Sequence, residues 1–245
     1  MKQFVFIVIL MITNAPVLSA QTNAGKHHIF LDIAHGQRFW NDPQDMVGSA
    51  GQDLERVKYL TSQMETTAEA VGASIGYFKS KIKPEDLIDC DLLFIHIPST
   101  SYHADEVNAI INYVRDGGAL FLIMDADYWS TLKQTNVNQI ISPFNIRFGA
   151  NSADTLSGGF TKAGVLTSEA LKVTYHGART LSGGTPFTFN TQSQQPFGAF
   201  RDIKGGGKIA VMGDGMVSLY MTSWKDVKDY QCQEFMQAVF QWLLE

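Results

Sequence analysis

Four short apolar runs in this chain each break off into a cluster of polar or aromatic residues, and that recurrence dictates an open α/β sheet. Residues 28–33 lead into Ala34-His35-Gly36-Gln37-Arg38-Phe39-Trp40, and 91–97 into Pro98-Ser99-Thr100-Ser101. Residues 119–124 lead into Asp125-Ala126-Asp127-Tyr128-Trp129, and 208–213 into Asp214-Gly215. An unbroken run such as Leu92-Leu93-Phe94-Ile95 marks a strand buried on both faces, as central parallel strands are. Between the runs, apolar residues step by three or four. Leu54, Val57, Leu60, Met64, Ala68 and Val71 make one helical face over 53–71, and Val107, Ile110, Ile111 and Val114 make another. Gly72 and Gly117-Gly118 stop these helices. Strand–helix–strand at this spacing is a right-handed βαβ unit. Ligands of such sheets bind beyond the carboxyl ends of the strands, so the four polar clusters predict one shared pocket.

The chain has 245 residues, which suits a single α/β domain over 27–245. Its start reads differently. Lys2, the apolar stretch 4–12 and the small-residue site Leu18-Ser19-Ala20 compose a cleavable secretory signal over 1–20. The apolar stretch is too short to span a bilayer, and Thr13-Asn14-Ala15-Pro16 interrupts it. The expected location is therefore periplasmic or extracellular, with no membrane span after cleavage. A net charge of −5 with no basic stripe argues against nucleic acid as a partner. Export permits a disulfide between Cys90 and Cys232, but one precedes a strand and the other opens the last helix, at opposite ends of the sheet. A bridge needs Cα atoms within about 7 Å, so two separate buried thiols are expected.

The remaining elements follow from the same signals. Strand two covers 74–78, and a weak third helix over 130–142 is halted at Pro143. From 144 to 200 the periodicity fades and Gly, Ser, Thr and Asn abound. Within it, 151–195 reads as an irregular β-rich excursion folded over the pocket, with short β-like stretches at 172–175 and 186–190. Residues 197–203 and 208–213 flank Lys204-Gly205-Gly206-Gly207 as a hairpin, and 231–244 form the final helix.

These residues resemble a known family. Ile29-Phe30-Leu31-Asp32-Ile33-Ala34-His35, Asp91-Leu92-Leu93-Phe94-Ile95-His96-Ile97-Pro98, Tyr113-Val114-Arg115-Asp116-Gly117-Gly118-Ala119-Leu120 and Gly206-Gly207-Lys208-Ile209-Ala210-Val211-Met212-Gly213-Asp214-Gly215 are similar to the class I glutamine-amidotransferase-like fold. The closest resemblance is to its non-catalytic branch, found in gliding-motility transport proteins, intraflagellar-transport proteins and exported bacterial domains. It implies a three-layer, flavodoxin-like, mostly parallel sheet with helices on both faces. True amidotransferases carry a nucleophilic Cys at a strand-to-helix elbow in a Gly-x-Cys-x-Gly setting. Nothing here matches, and Cys90 lies before its strand, so thiol amidotransferase chemistry is excluded. The resemblance also implies a carbohydrate context, because similar Bacteroidetes domains accompany unsaturated rhamnogalacturonyl hydrolases. Fold alone does not establish function.

The candidate site is drawn from the strand ends. His35 is suited to proton transfer near neutral pH or to ligand binding, with Asp32 to orient it. Gln37 and Ser99 offer hydrogen bonds, while Trp40, Tyr128 and Trp129 offer aromatic surface for a sugar ring. Asp125, Asp127 and Asp214 are carboxylates for acid/base work or a hard cation; capping and turn roles compete. His176 and Arg179 belong to the excursion, where Arg179 suits a uronate carboxylate. His96, inside an apolar run, reads as a satisfied core residue. No three-His zinc spacing is present and no cofactor is implied. The leading expectation is an exported, carbohydrate-binding accessory domain in polysaccharide, including pectin, utilisation. The alternatives are an oligosaccharide hydrolase or lyase using His35 with Asp125, Asp127 or Asp214, and a protein-interaction module.

Overall fold

The computed structural model describes residues 27–37, 39–46, 52–154, 158–219, 222 and 229–245; the signal-peptide reading over 1–20 lies outside them. Five parallel strands form the heart of the sheet, in the order β2 (Ala73–Phe78), β1 (His27–Asp32), β3 (Leu92–His96), β4 (Ala119–Ile123) and β11 (Lys208–Met212). Every residue of β3 and β4 is buried, as their unbroken apolar runs require. Successive side chains point to opposite faces and so feed two cores. Leu92, Phe94, Phe121, Ala210 and Met212 meet α1 (Gln52–Ala70) and α5 (Cys232–Leu244) through Leu60, Met64, Phe235, Val239 and Phe240. Leu93, Ile95, Leu120, Leu122, Ile209 and Val211 meet α2 (Ala104–Arg115) through Val107, Ile110 and Val114. The three layers expected from the sequence are therefore present.

The weak third helix is two short ones, α3 (Leu132–Thr135) and α4 (Val137–Ile141), separated at Asn136. Asn136 takes the left-handed conformation, φ 44°, which a short amide side chain tolerates better than most. Its side chain also accepts from the Tyr102 N–H at 2.9 Å and donates to the Tyr102 carbonyl at 3.0 Å. The break in the helix thus fixes the segment that enters α2.

Most of the β-rich segment extends the sheet and does not cover the strand ends; Arg179 and Asn151 are tied to the loop after β4. The strand β10 (Pro196–Asp202) pairs antiparallel with β11, as the hairpin reading expected. Beyond it β9 (Thr185–Asn190), β6 (Gly159–Thr161) and β7 (Lys172–Thr174) continue the same sheet, each antiparallel to its neighbour. The strands β5 (Ile146–Asn151) and β8 (Arg179–Gly183) pair separately. The physical reason is the exposed edge of β10, whose unpaired N–H and C=O groups β9 satisfies, with β6 and β7 closing each new edge in turn. Alternation of direction has a consequence for the site. The carboxyl ends of β7 and β9 lie at the same end of the sheet as those of β1, β3, β4 and β11, whereas β10 ends at the other.

Candidate functional site

The strand β1 ends in Asp32, and the chain turns at once so that His35 folds back over it. The His35 Nδ1 lies 3.0 and 2.9 Å from the two Asp32 oxygens. Its Nε2 lies 3.3 Å from Glu106 Oε1, on the first turn of α2. Tyr102 stacks on the imidazole, ring centroids 3.9 Å apart, and donates its hydroxyl to Asp32 Oδ2 at 2.5 Å. Glu106 also accepts from the Ile82 and His103 N–H groups at 2.8 and 2.9 Å. All four side chains are buried. Burial opposes charge on His35, but the Asp32 hydrogen bond and charge, reinforced by Glu106, raise its pKa above the ordinary value. The predicted Asp32–His35 contact is formed. The imidazole, however, has both nitrogens engaged by carboxylates and neither left to serve a substrate.

Gly36 follows with φ 65°, and a Cβ there would stand 2.2 Å from Ser99 Oγ. Glycine therefore allows the β1 and β3 loops to touch, and the Ser99 N–H donates to the His35 carbonyl at 2.8 Å. Ser99 itself is partly buried and its carbonyl accepts from Gln134 at 2.6 Å. Between His96 and Pro98 the backbone passes through Ile97 at φ 43°, a strained value for a β-branched residue. A strained strand-to-helix elbow thus exists, and its residue is Ile97, which has no nucleophilic atom.

The carboxylates at the ends of β4 and β11 are turned inward to the backbone. Asp125 accepts from the Ala126 N–H at 2.6 Å and from the Gly215 N–H at 2.8 Å. A Cβ on Gly215 would meet Ile97 Cδ1 at 2.2 Å, so glycine lets the β11 turn pack directly against Ile97. Asp214 Oδ1 accepts from the Met216 N–H at 2.8 Å, while Oδ2 is buried without a partner. Thr174 lies beside it, but the Thr174 hydroxyl is donated to the His176 carbonyl at 3.3 Å. Burial raises the Asp125 pKa, against the pull of its backbone donors and Arg179. Burial, then the charge of Asp125, raises that of Asp214 well above the carboxylate range. Asp127 is exposed and pairs with Arg179 Nη2 at 2.5 Å.

Arg179 departs from the sequence reading. It is buried, and Nε donates to the Asp125 carbonyl at 2.8 Å while Nη1 donates to the Gly149 carbonyl at 3.0 Å. With Asp127 on Nη2 each of the three nitrogens has a partner, tying β8 to the β4 loop, and the buried group has no open side for a uronate. Trp40 departs too. It is 3% exposed, and its ring is set edge-on against Phe94 and His96 at 5.8 and 6.2 Å. It offers no open face for a sugar. Tyr128, 83% exposed and edge-on to Trp129 at 4.9 Å, is the solvent-facing aromatic at this end. His176 is half-buried against Tyr175, and burial lowers its pKa.

His96 is buried as expected, yet only half satisfied. Nε2 lies 3.0 Å from the Gly215 carbonyl and 2.6 Å from Ser218 Oγ, and Nδ1 has no partner. Burial pushes its pKa down to about 4, so the ring is neutral. His96 Nδ1 is one of a set. Among the described residues, unpartnered buried side-chain atoms occur on Gln37 (Nε2 and Oε1), Trp40, His96, Ser130, His176, Asp214 and Arg201. All but Arg201 lie at or just past the strand ends that gather at this end of the sheet; Arg201 is near the end of β10, at the other. Buried polar groups are ordinarily paired, so this concentration sets the strand ends apart among the described residues. A groove of about 580 Å³ does lie at the opposite end, lined by Asp91, Tyr113, Asp116, Asp202 and Lys208 among others. It contains none of the unpartnered atoms, and Lys208 there donates to the Trp242 carbonyl at 2.7 Å. The described residues hold no cluster of His, Cys, Asp and Glu fit for a metal ion.

Tyr102, Glu106, Ser130 and Ser218 were not predicted. Glu106 reads in sequence as an ordinary acidic residue of a helix start, which it also is. Tyr102, Ser130 and Ser218 carry no periodic or spacing signal at all.

The architecture is that of the flavodoxin-like, class I glutamine-amidotransferase-like fold. No protein-family model and no curated protein matches the chain. Solved structures do. The mmIFT52 N-terminal domain superposes with a TM-score of 0.63 at 18% identity, over 89% of this chain and 97% of that one. The cytoplasmic protein STM3548 from Salmonella typhimurium gives 0.52 at 13%, over 89% and 98%. The exo-β-1,4-mannosidase Op5Man5 from Opitutaceae bacterium strain TAV5 gives 0.51 at 12%, over 88% of this chain but 36% of that one. At these identities the likeness is one of fold, and at that level the resemblance to intraflagellar-transport domains holds.

Proposed function

We propose that this chain is an exported carbohydrate-binding accessory domain, taking a sugar or related polyhydroxyl ligand at the carboxyl ends of its strands in polysaccharide, including pectin, utilisation. The observation that carries this reading is the set of unpartnered buried polar atoms on Gln37, Trp40, His96, Ser130, His176 and Asp214. Leaving such a group unpaired costs about 1–3 kcal/mol, and hydroxyl groups of a ligand would satisfy it. Exposed Tyr128 beside Trp129 supplies aromatic surface at the same end. The likeness to part of a mannosidase adds support for a carbohydrate context.

The acid/base reading is weaker, because His35 has both nitrogens engaged and Asp125 accepts backbone N–H groups on both oxygens. The interaction-module reading is weaker as well. The large apolar side chains exposed among the described residues, Tyr59, Ile88 and Tyr128, are scattered and form no patch.

Ser130→Ala tests the proposal. Removing a hydroxyl that has no partner leaves the free protein as stable as wild type or more so, while affinity for the oligosaccharide that binds in a glycan panel falls about three- to tenfold, the loss of one hydrogen bond. A variant that loses stability and keeps full affinity places the ligand elsewhere.

A further inference from the structure

Resting on that reading of the site, we infer that the ligand is uncharged: a neutral polyhydroxyl compound rather than a uronate or another anion. The unpartnered atoms are mixed in kind. Trp40 Nε1 and Gln37 Nε2 are donors, Gln37 Oε1 is an acceptor, Ser130 Oγ is both, and Asp214 Oδ2 and His176 Nδ1 donate or accept with their protonation and tautomer. His96 adds an acceptor. Its Nε2 faces the Gly215 carbonyl at 3.0 Å, which can only accept, so Nε2 carries the proton and Nδ1 the lone pair.

A hydroxyl group donates and accepts, and several of them match this inventory. A carboxylate only accepts, and would leave His96 Nδ1 and Gln37 Oε1 unsatisfied. Charge points the same way. Asp125 is buried at this end, and its charge, which already raises the Asp214 pKa, opposes a further anion. The basic side chain buried beside them, Arg179, has all three of its donor nitrogens engaged, on Asp125, Gly149 and Asp127. Lys79 is paired with Asp42 and Asp45, and Lys81 with Asp105. None of the residues that carry an unpartnered atom at this end is basic at neutral pH, since burial holds His96 and lowers His176 in the neutral form.

Matched pairs of oligosaccharides that differ in charge alone decide the question. The full chain is titrated calorimetrically at neutral pH with β-1,4-mannotriose and with the β-1,4-mannuronate trimer, and then with methyl-esterified and free trigalacturonate. In any pair that binds, the neutral member is expected to bind at least tenfold more tightly, and Ser130→Ala is expected to weaken it. An acid that binds as tightly as its neutral partner, with the same response to Ser130→Ala, overturns the charge inference while the site reading stands. Binding of none of the four overturns the carbohydrate reading, and the charge inference falls with it.

Discussion

Asp32, His35 and Glu106 form a carboxylate–imidazolium–carboxylate row in the interior, with Tyr102 stacked on its centre. Such a row ties stability to pH. The folded pKa of His35 is raised above 6.5, so its stabilisation is full below that unfolded value and is lost as pH rises through the folded one. His35→Gln should cost about 3–5 kcal/mol in urea unfolding near pH 6, since it leaves two buried carboxylates without their cation, and should flatten the decline at higher pH. An unchanged pH profile would remove His35 as its source. Asp214 acts in the same sense by another route. Its pKa is raised by burial and by Asp125, so the fold favours the protonated carboxyl and loses stability as pH climbs through that raised value. Asp214→Asn cannot ionise, and should gain on wild type as pH rises above the ordinary carboxylate value of 3.8. A gap that does not widen would mean that Asp214 is not the buried acid described. At this scale the sequence was partly legible. Asp32 beside His35 could be seen three residues apart. Glu106 could not, because its partner is 71 positions away, and nothing local distinguishes a helix-start Glu that caps from one that also reaches a histidine.

At the scale of elements, the parallel strands and the main helices were readable because each is dominated by one period, two or 3.6, over its whole length. The adjacency of β1, β3 and β4 followed from the βαβ spacing. The strands β6, β7 and β9 were not readable as sheet extension. They are short, with three residues in β6 and in β7, and their stability comes from pairing with a distant edge. The third helix failed for a different reason. Asn136 is a tolerable helix residue by pattern, and its role lies in two hydrogen bonds to Tyr102. That role is testable by comparing Asn136→Gly and Asn136→Ala. Both lose the bonds, at about 1–3 kcal/mol, but glycine keeps the left-handed conformation and should be the milder change in thermal unfolding. Equal losses would assign the whole effect to the hydrogen bonds.

At the scale of the molecule, one sheet separates two cores, and the site lies where its strands end. Both thiols are enclosed by those cores. Burial pushes the Cys90 thiol up to about 12 and raises that of Cys232 as well. The native protein should therefore be inert to a thiol reagent and should release two reactive groups on unfolding without reductant. A single group, or none, would contradict the separation of the two cysteines. The polar clusters after the strands were legible as a region, because an open sheet gathers those ends whatever their residues are. The roles within the region were not. Trp40 looked like a stacking platform and Arg179 like a carboxylate clamp, since a sequence does not reveal that the ring is enclosed by Phe94 and His96 and that each guanidinium nitrogen has a partner.

The central claim is that a ligand reaches the unpartnered polar atoms at these strand ends, and the indole of Trp40 reports on it directly. Its Nε1–H has no partner in the free protein, whereas Trp242 lies at the far end of the sheet, over Lys208. With ¹⁵N-labelled protein and a neutral oligosaccharide that binds, the account predicts a saturable shift of the Trp40 indole resonance while that of Trp242 stays in place. A saturable shift of Trp242 with Trp40 unmoved would contradict it.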